Sequence, residues 1–147
     1  METGELRTAM LDAMVKKAEE IYAATPNYHK GGKRGYFNVE IRNSQAPDQW
    51  DASSRPFGRV ASEPATEEDM IINNGGSFET TVRGKVAYTR RTGKNSGANH
   101  WEVRGTESWW KGALISADGN CISAFSGLMG YDDIAIAQAG IDVYNSR

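Results

Sequence analysis

The chain has 147 residues, of which 39% are hydrophobic and 24% charged, with a formal net charge of -2 and a pI near 5.7. That size and balance fit one globular domain, residues 1–147, and argue against nucleic acid as the main partner, because phosphate binding needs a concentrated basic face. A single cysteine, Cys121, excludes an intrachain disulfide framework and a cysteine-rich zinc site.

Residues 5–24 carry Leu6, Met10, Met14, Ala18, Ile21 and Tyr22 at helical spacing, with Thr25-Pro26 as the stop. Tyr36–Ile41 reads as a strand. The stretch from Gln45 to Pro64, with Pro47, Pro56 and Pro64, reads as a long irregular loop that packs down through Trp50 and Phe57. Thr66 is an N-cap signal for a short helix through about Ile72, closed by Asn73 to Gly76. From Phe78 the pattern Phe78, Thr80, Val82, Gly84, Val86, Tyr88 has period two and predicts a strand. A helix is its rival, since Phe78, Val82 and Val86 are also four apart. The basic run from Arg83 to Lys94 then reads as a solvated face.

His100–Thr106, Trp109–Ala117 and Asn120–Ser126 are further strand candidates, the last two joined by Asp118-Gly119, a strong hairpin signal. Gly127 to Gly130 breaks the strand. Asp132 and Asp133 open a last helix with Ile134, Ala137, Ile141 and Tyr144 on one face. The expected class is α+β: an antiparallel sheet of about five strands with N- and C-terminal helices packed on it. No apolar run approaches the ~20 residues that span a bilayer. Met1–Thr8 is polar and acidic, without a signal core, so a cytoplasmic location is expected, with no membrane partner.

Site chemistry is sparse. No nucleophile elbow, phosphate loop or His-Glu-x-x-His motif occurs. The histidines, His29 and His100, have no partner at metal-ligand spacing, so no metal site is expected. Adjacent Asp132 and Asp133 point different ways on a helix and serve as helix-start acids. The second half is rich in aromatics. Phe78, Tyr88, His100, Trp101 and Trp109 are the candidate ligand-binding residues, since an imidazole beside aromatic rings suits a flat ligand. Trp109 and Trp110, as strand neighbours, would face opposite sides, and the outward ring would need a cover.

The run from Lys111 to Gly140, KGALISADGNCISAFSGLMGYDDIAIAQAG, resembles the C-terminal signature of the GlcG/HbpS-like family: a hairpin, a Ser-Gly turn, an acidic helix start and an alanine-rich helix. The resemblance covers the last quarter of the chain. It implies a profilin/PAS-like layout, assembly into homo-oligomers and, in some members, haem binding or an association with haem degradation. No ligand residue for haem carries over.

Three functions follow as expectations. The first is a non-catalytic, oligomeric domain that binds a small molecule, haem or another flat ligand. The second is a small enzyme with its site under the 45–64 loop, near Asp48, Asp51, Arg55 and Arg59. The third is a protein-interaction module that buries Trp109 or Trp110.

Overall fold

In a computed structural model of the chain, the described residues are 2–25, 32–59 and 77–147, with His100 described by its backbone alone. Helix α1 spans Thr3–Ala24 and buries Leu6, Met10, Leu11, Met14 and Ala18, the stripe that the sequence periodicity predicts. It stops at Thr25, whose N–H still reaches the Ile21 carbonyl at 3.1 Å, because Pro26 disfavours a further helical residue.

Strand β1, Tyr36–Asn43, turns back into β2, Ala46–Pro56. The turn is built by Asn43, whose Oδ1 accepts from the backbone N–H of Gln45 and of Ala46 at 2.9 and 3.1 Å. Most of the expected 45–64 loop is therefore an edge strand. Its prolines sit at its second and last positions, where a missing N–H is tolerated, and its side chains are mostly polar and none of its residues is buried. Phe57 does pack down, edge-on to Tyr22 and Phe37. Residues 60–64 and the expected Thr66–Ile72 helix lie outside the described residues.

Helix α2, Phe78–Thr92, replaces the expected strand over Phe78–Tyr88. The four-residue spacing of Phe78, Val82 and Val86 wins over the period-two pattern. Ser77 Oγ accepts from Thr80 N–H at 3.0 Å at the start, and Gly93, at φ 69°, closes the end. Gly84 costs helix propensity, but a Cβ there would lie 2.9 Å from the Thr106 carbonyl oxygen. The glycine lets the 106–108 segment lie on the helix. His100–Thr106 is likewise no strand. It holds one 3-10 turn, His100–Glu102, and then loop.

Of the expected Trp109–Ala117 strand only Ala113–Ile115 pairs, as β3; β4 is Cys121–Ser126, and helix α3 is Gly130–Asn145. The described sheet has four strands, not five, all antiparallel, in the order β2-β1-β4-β3. The outer edge of β3 is closed by Asn95 and Ser96, whose side chains accept from the N–H groups of Ile115 and Ala113.

Alternation along the strands gives the sheet two covered faces. Phe37, Val39, Ile41, Leu114, Cys121 and Phe125 pack with α1 and α3 in the larger core. Ala113, Ile122 and Ala124 pack with Val82 and Val86 of α2 on the other face. The result is three layers, helix on sheet on helix. Among the described residues no helix is long and apolar enough to cross a membrane.

Candidate functional site

The chemically unusual feature sits where α2, β4 and the first turn of α3 meet. Lys85 lies on the sheet-facing side of α2, between Val82 and Val86 in sequence. Its Nζ donates to the Phe125 carbonyl at 2.9 Å and to Asp133 Oδ2 at 3.2 Å. The other carboxylate oxygen of Asp133 accepts from Leu128 N–H at 3.0 Å. The two side chains are 1% and 5% exposed.

Asp133 thus has two tasks. It takes up an amide at the β4–α3 turn, as a helix-start acid should, and it neutralises a lysine that has no access to bulk water. Asp132, its neighbour, is half-exposed, so the two carboxylates diverge as expected of adjacent helical residues.

Glycines allow this close approach. At Gly112, φ 123°, a Cβ would stand 2.6 Å from the Phe125 carbonyl oxygen and 2.8 Å from Lys85 Nζ. Only glycine fits there. Gly127 of the Ser126-Gly127 turn lies against the Arg34 carbonyl in the same manner. These are folding needs that bring α3 back over the sheet edge.

Burial pushes the Asp133 carboxyl up to about 7, against the pull of the adjacent Lys85 ammonium. Burial likewise pushes the Lys85 amine down, against the pull of Asp133. Both shifts favour the uncharged forms, so the pair sits closer to sharing one proton than a surface ion pair would.

Next to the pair is a cavity of about 230 Å3. Lys85, Asp133 and Ser126 supply its polar wall. Thr81 closes it from α2, and Leu128 and Met129 close it from the β4–α3 turn. Trp110 and Lys111 stand on the remaining side. Trp110 is partly exposed and stacks on Trp109 with ring centroids 4.3 Å apart.

A larger, open groove of about 730 Å3 lies at the opposite end, by the β1–β2 turn. Some of its polar side chains are already bonded within it. Arg42 donates to the Pro47 carbonyl at 2.6 Å, and Asn43 donates to Asp51 at 3.3 Å. Nearby, Arg55 is paired with Asp12 of α1 at 2.9 Å.

The five sequence candidates do not converge on either space. Phe78 is buried under the Arg34 guanidinium, 5.4 Å from its ring. Tyr88 is buried, with the Arg91 guanidinium 5.9 Å from its ring. Trp101 is 72% exposed, Trp109 leans on Trp110, and His100 opens the 3-10 turn. The residue missed is Lys85. A signal existed: in a helix, Lys85 falls on the stripe of Phe78, Val82 and Val86, and a lysine there must find a buried partner.

Among the described residues no group of three or more His, Cys, Asp or Glu side chains could hold a metal ion. No described protein family matches the chain. No curated protein and no solved structure matches it either.

Proposed function

We propose that this chain is a small-molecule-binding domain whose ligand occupies the cavity between α2 and the start of α3. One observation carries the reading: a cavity with apolar walls whose polar side is a fully buried, hydrogen-bonded Lys85–Asp133 pair. Pockets with few convergent polar groups and perturbed titrating residues are the usual form of a binding site. At about 230 Å3 the space is smaller than the roughly 300–1,000 Å3 that takes a drug-sized ligand. A metabolite of few heavy atoms fits it. The likeness of residues 111–140 to GlcG/HbpS-like domains supports the same non-catalytic, ligand-binding reading.

The test is a fragment titration of purified protein, followed by tryptophan fluorescence and by amide NMR shifts. Small acids, amides and carbonyl compounds should move the signals of Trp110, Met129 and Gly130. Thr81→Phe places a ring in the cavity and should abolish those shifts. Binding indifferent to Thr81→Phe, or none across the panel, would sink the proposal.

A flat ligand is the second reading, favoured by the partly exposed, stacked Trp109–Trp110 pair and the exposed Trp101. Haem is its test case. A Soret shift at micromolar haemin that is lost in Trp109→Ala would support it, and an unshifted spectrum would remove it.

A further inference from the structure

The same cavity has a chemistry beyond non-covalent binding. We propose that Lys85 is a reactive amine that captures a small 2-oxo acid as an imine, with Asp133 as its proton partner. This rests on the cavity being a ligand site, and it names the class of ligand.

Three features of geometry carry it. Lys85 lines the cavity and is 1% exposed, so a carbonyl compound would approach it through that space, away from bulk water. Its two hydrogen bonds, to Phe125 O and Asp133 Oδ2, hold the nitrogen in place and leave one of its three ammonium positions unused. The third feature is Lys111, which borders the same cavity. Its stem runs beside Gly130 at the start of α3, with Cδ 3.5 Å from where a Gly130 Cβ would stand. A ligand whose carbonyl meets Lys85 can present its carboxylate to that ammonium.

The chemistry closes without any redox partner. Lys85 must react as a free amine, and burial favours that form. Its lone pair forms the C–N bond, and the proton it loses passes to the former carbonyl oxygen. That hydroxyl takes the proton held by Asp133 and leaves as water when the C–O bond breaks. The product is a protonated imine facing the Asp133 carboxylate, so the site exchanges one ion pair for another. Release is the same path reversed.

Charged groups around Lys85 come from each packed element. Asp133 and Asp132 stand on α3, and Lys111 precedes β3. Glu40 of β1, paired with Arg90 at 3.0 Å, lies on the same face of the sheet. The Lys85 neutral fraction therefore follows the Lys85–Asp133 pair first.

The experiment treats the folded chain with pyruvate and sodium cyanoborohydride at about pH 7, followed by peptide mass mapping. The chain has seven lysines. Each unit by which an amine's pKa falls raises its neutral fraction about tenfold. The expected result is one saturating adduct on Lys85, formed faster than on any other lysine, because burial lowers its amine. Asp133→Asn should slow it by on the order of 10²-fold or more, as loss of a positioned proton donor does. Lys85→Met should abolish it. Since these two variants also disturb a buried pair, Thr81→Phe supplies the variant that keeps the pair and blocks the space, and it should abolish the adduct too.

A folded protein labelled only on exposed lysines, while Thr81→Phe-sensitive fragment binding persists, overturns the imine and leaves the binding site standing. Absence of both labelling and Thr81→Phe-sensitive binding removes both.

Discussion

Replacing Lys85 by methionine isolates what the buried pair does for stability. Methionine keeps an unbranched stem in the α2 stripe and removes the ammonium. Asp133 then stays buried without its counter-charge, and it responds by holding a proton. The ordinary carboxyl value is 3.8. At pH 7 protonation of such a group costs about three units at 1.36 kcal/mol each, so the penalty reaches about 4 kcal/mol. Loss of one partner of other buried pairs falls in the same range, about 3–5 kcal/mol.

The sign is fixed by linkage. In Lys85→Met the folded-state carboxyl lies above its unfolded value, so folding takes up a proton. Stability is then greatest below about pH 4 and falls as pH rises, by up to about 1.4 kcal/mol per unit. Urea unfolding followed by circular dichroism, from pH 4.5 to 8, measures this. The gap between wild type and Lys85→Met should widen above about pH 7, where the wild-type carboxyl ionises beside Lys85 and the variant's has no counter-charge. A gap under about 0.5 kcal/mol at pH 8, or one that does not widen between pH 7 and 8, would refute the reasoning, because it would mean that Asp133 is solvated and not buried. The double change Lys85→Met with Asp133→Leu removes both charges. It should recover most of the loss, since an apolar substitute for a buried pair is often neutral or better, less about 1 kcal/mol for the unsatisfied Leu128 N–H.

Three further outcomes follow from packing and capping. Gly140 stands where α3 crosses close to Ser123 of β4 and Met14 of α1; Gly140→Ala should cost about 1–3 kcal/mol by overpacking, read from the same urea transitions. Tyr144 donates to Asp118 at 2.6 Å and helps hold that carboxyl down at about 2, against the upward push of burial and together with Ser116 and Asn120. A depressed carboxyl stabilises above its unfolded value and loses that as pH falls from about 4 to 2. Tyr144→Phe should therefore cost about 1 kcal/mol at pH 7 and lose less than wild type on acidification, in thermal melts at both pH values. Ser77→Ala removes the α2 N-cap and should cost about 1 kcal/mol, with amide exchange rising first at Thr80.

The terminal elements were legible because one physical effect dominates each. In α1, Leu6, Met10, Met14 and Ala18 are buried at a strict helical spacing. In the last hairpin, Gly119 takes φ 77° and Asp118 Oδ1 accepts from Ser116 Oγ and Asn120 N–H, so an Asp-Gly turn is demanded by the backbone. The middle failed where two effects compete. Over Phe78–Tyr88 the threonines and valines favour a strand, while the Ser77 cap, the Gly93 terminus and the contact of Phe78, Val82 and Val86 with the sheet favour a helix. Tertiary burial decided it. Strand β2 was hidden for the opposite reason: an edge strand with few buried side chains has no apolar alternation to read.

The site was hidden by those same errors. As a strand residue, Lys85 alternates outward with Arg83 and Ala87 and belongs to water. As a helix residue it points at the sheet, and burying it requires an acid on another element. Asp133 was in view as a helix-start acid, and that role is real, since Leu128 N–H bonds to it. Its second role follows only once α2 and α3 are both laid on the β4 edge, where Gly112 leaves room for the pair. The aromatic cluster misled for a related reason. Trp109 and Trp110 were expected to straddle a strand. The chain there is not paired, so the two rings stack on each other, and Trp110 joins the wall of the Lys85 cavity. A bare ion pair fixed for stability alone would be replaceable by apolar residues of similar volume. That this pair borders a cavity with a tryptophan at its side is what supports the proposed binding site over a structural bridge alone, and the double variant reads the two apart: the proposal expects stability largely recovered and ligand binding lost.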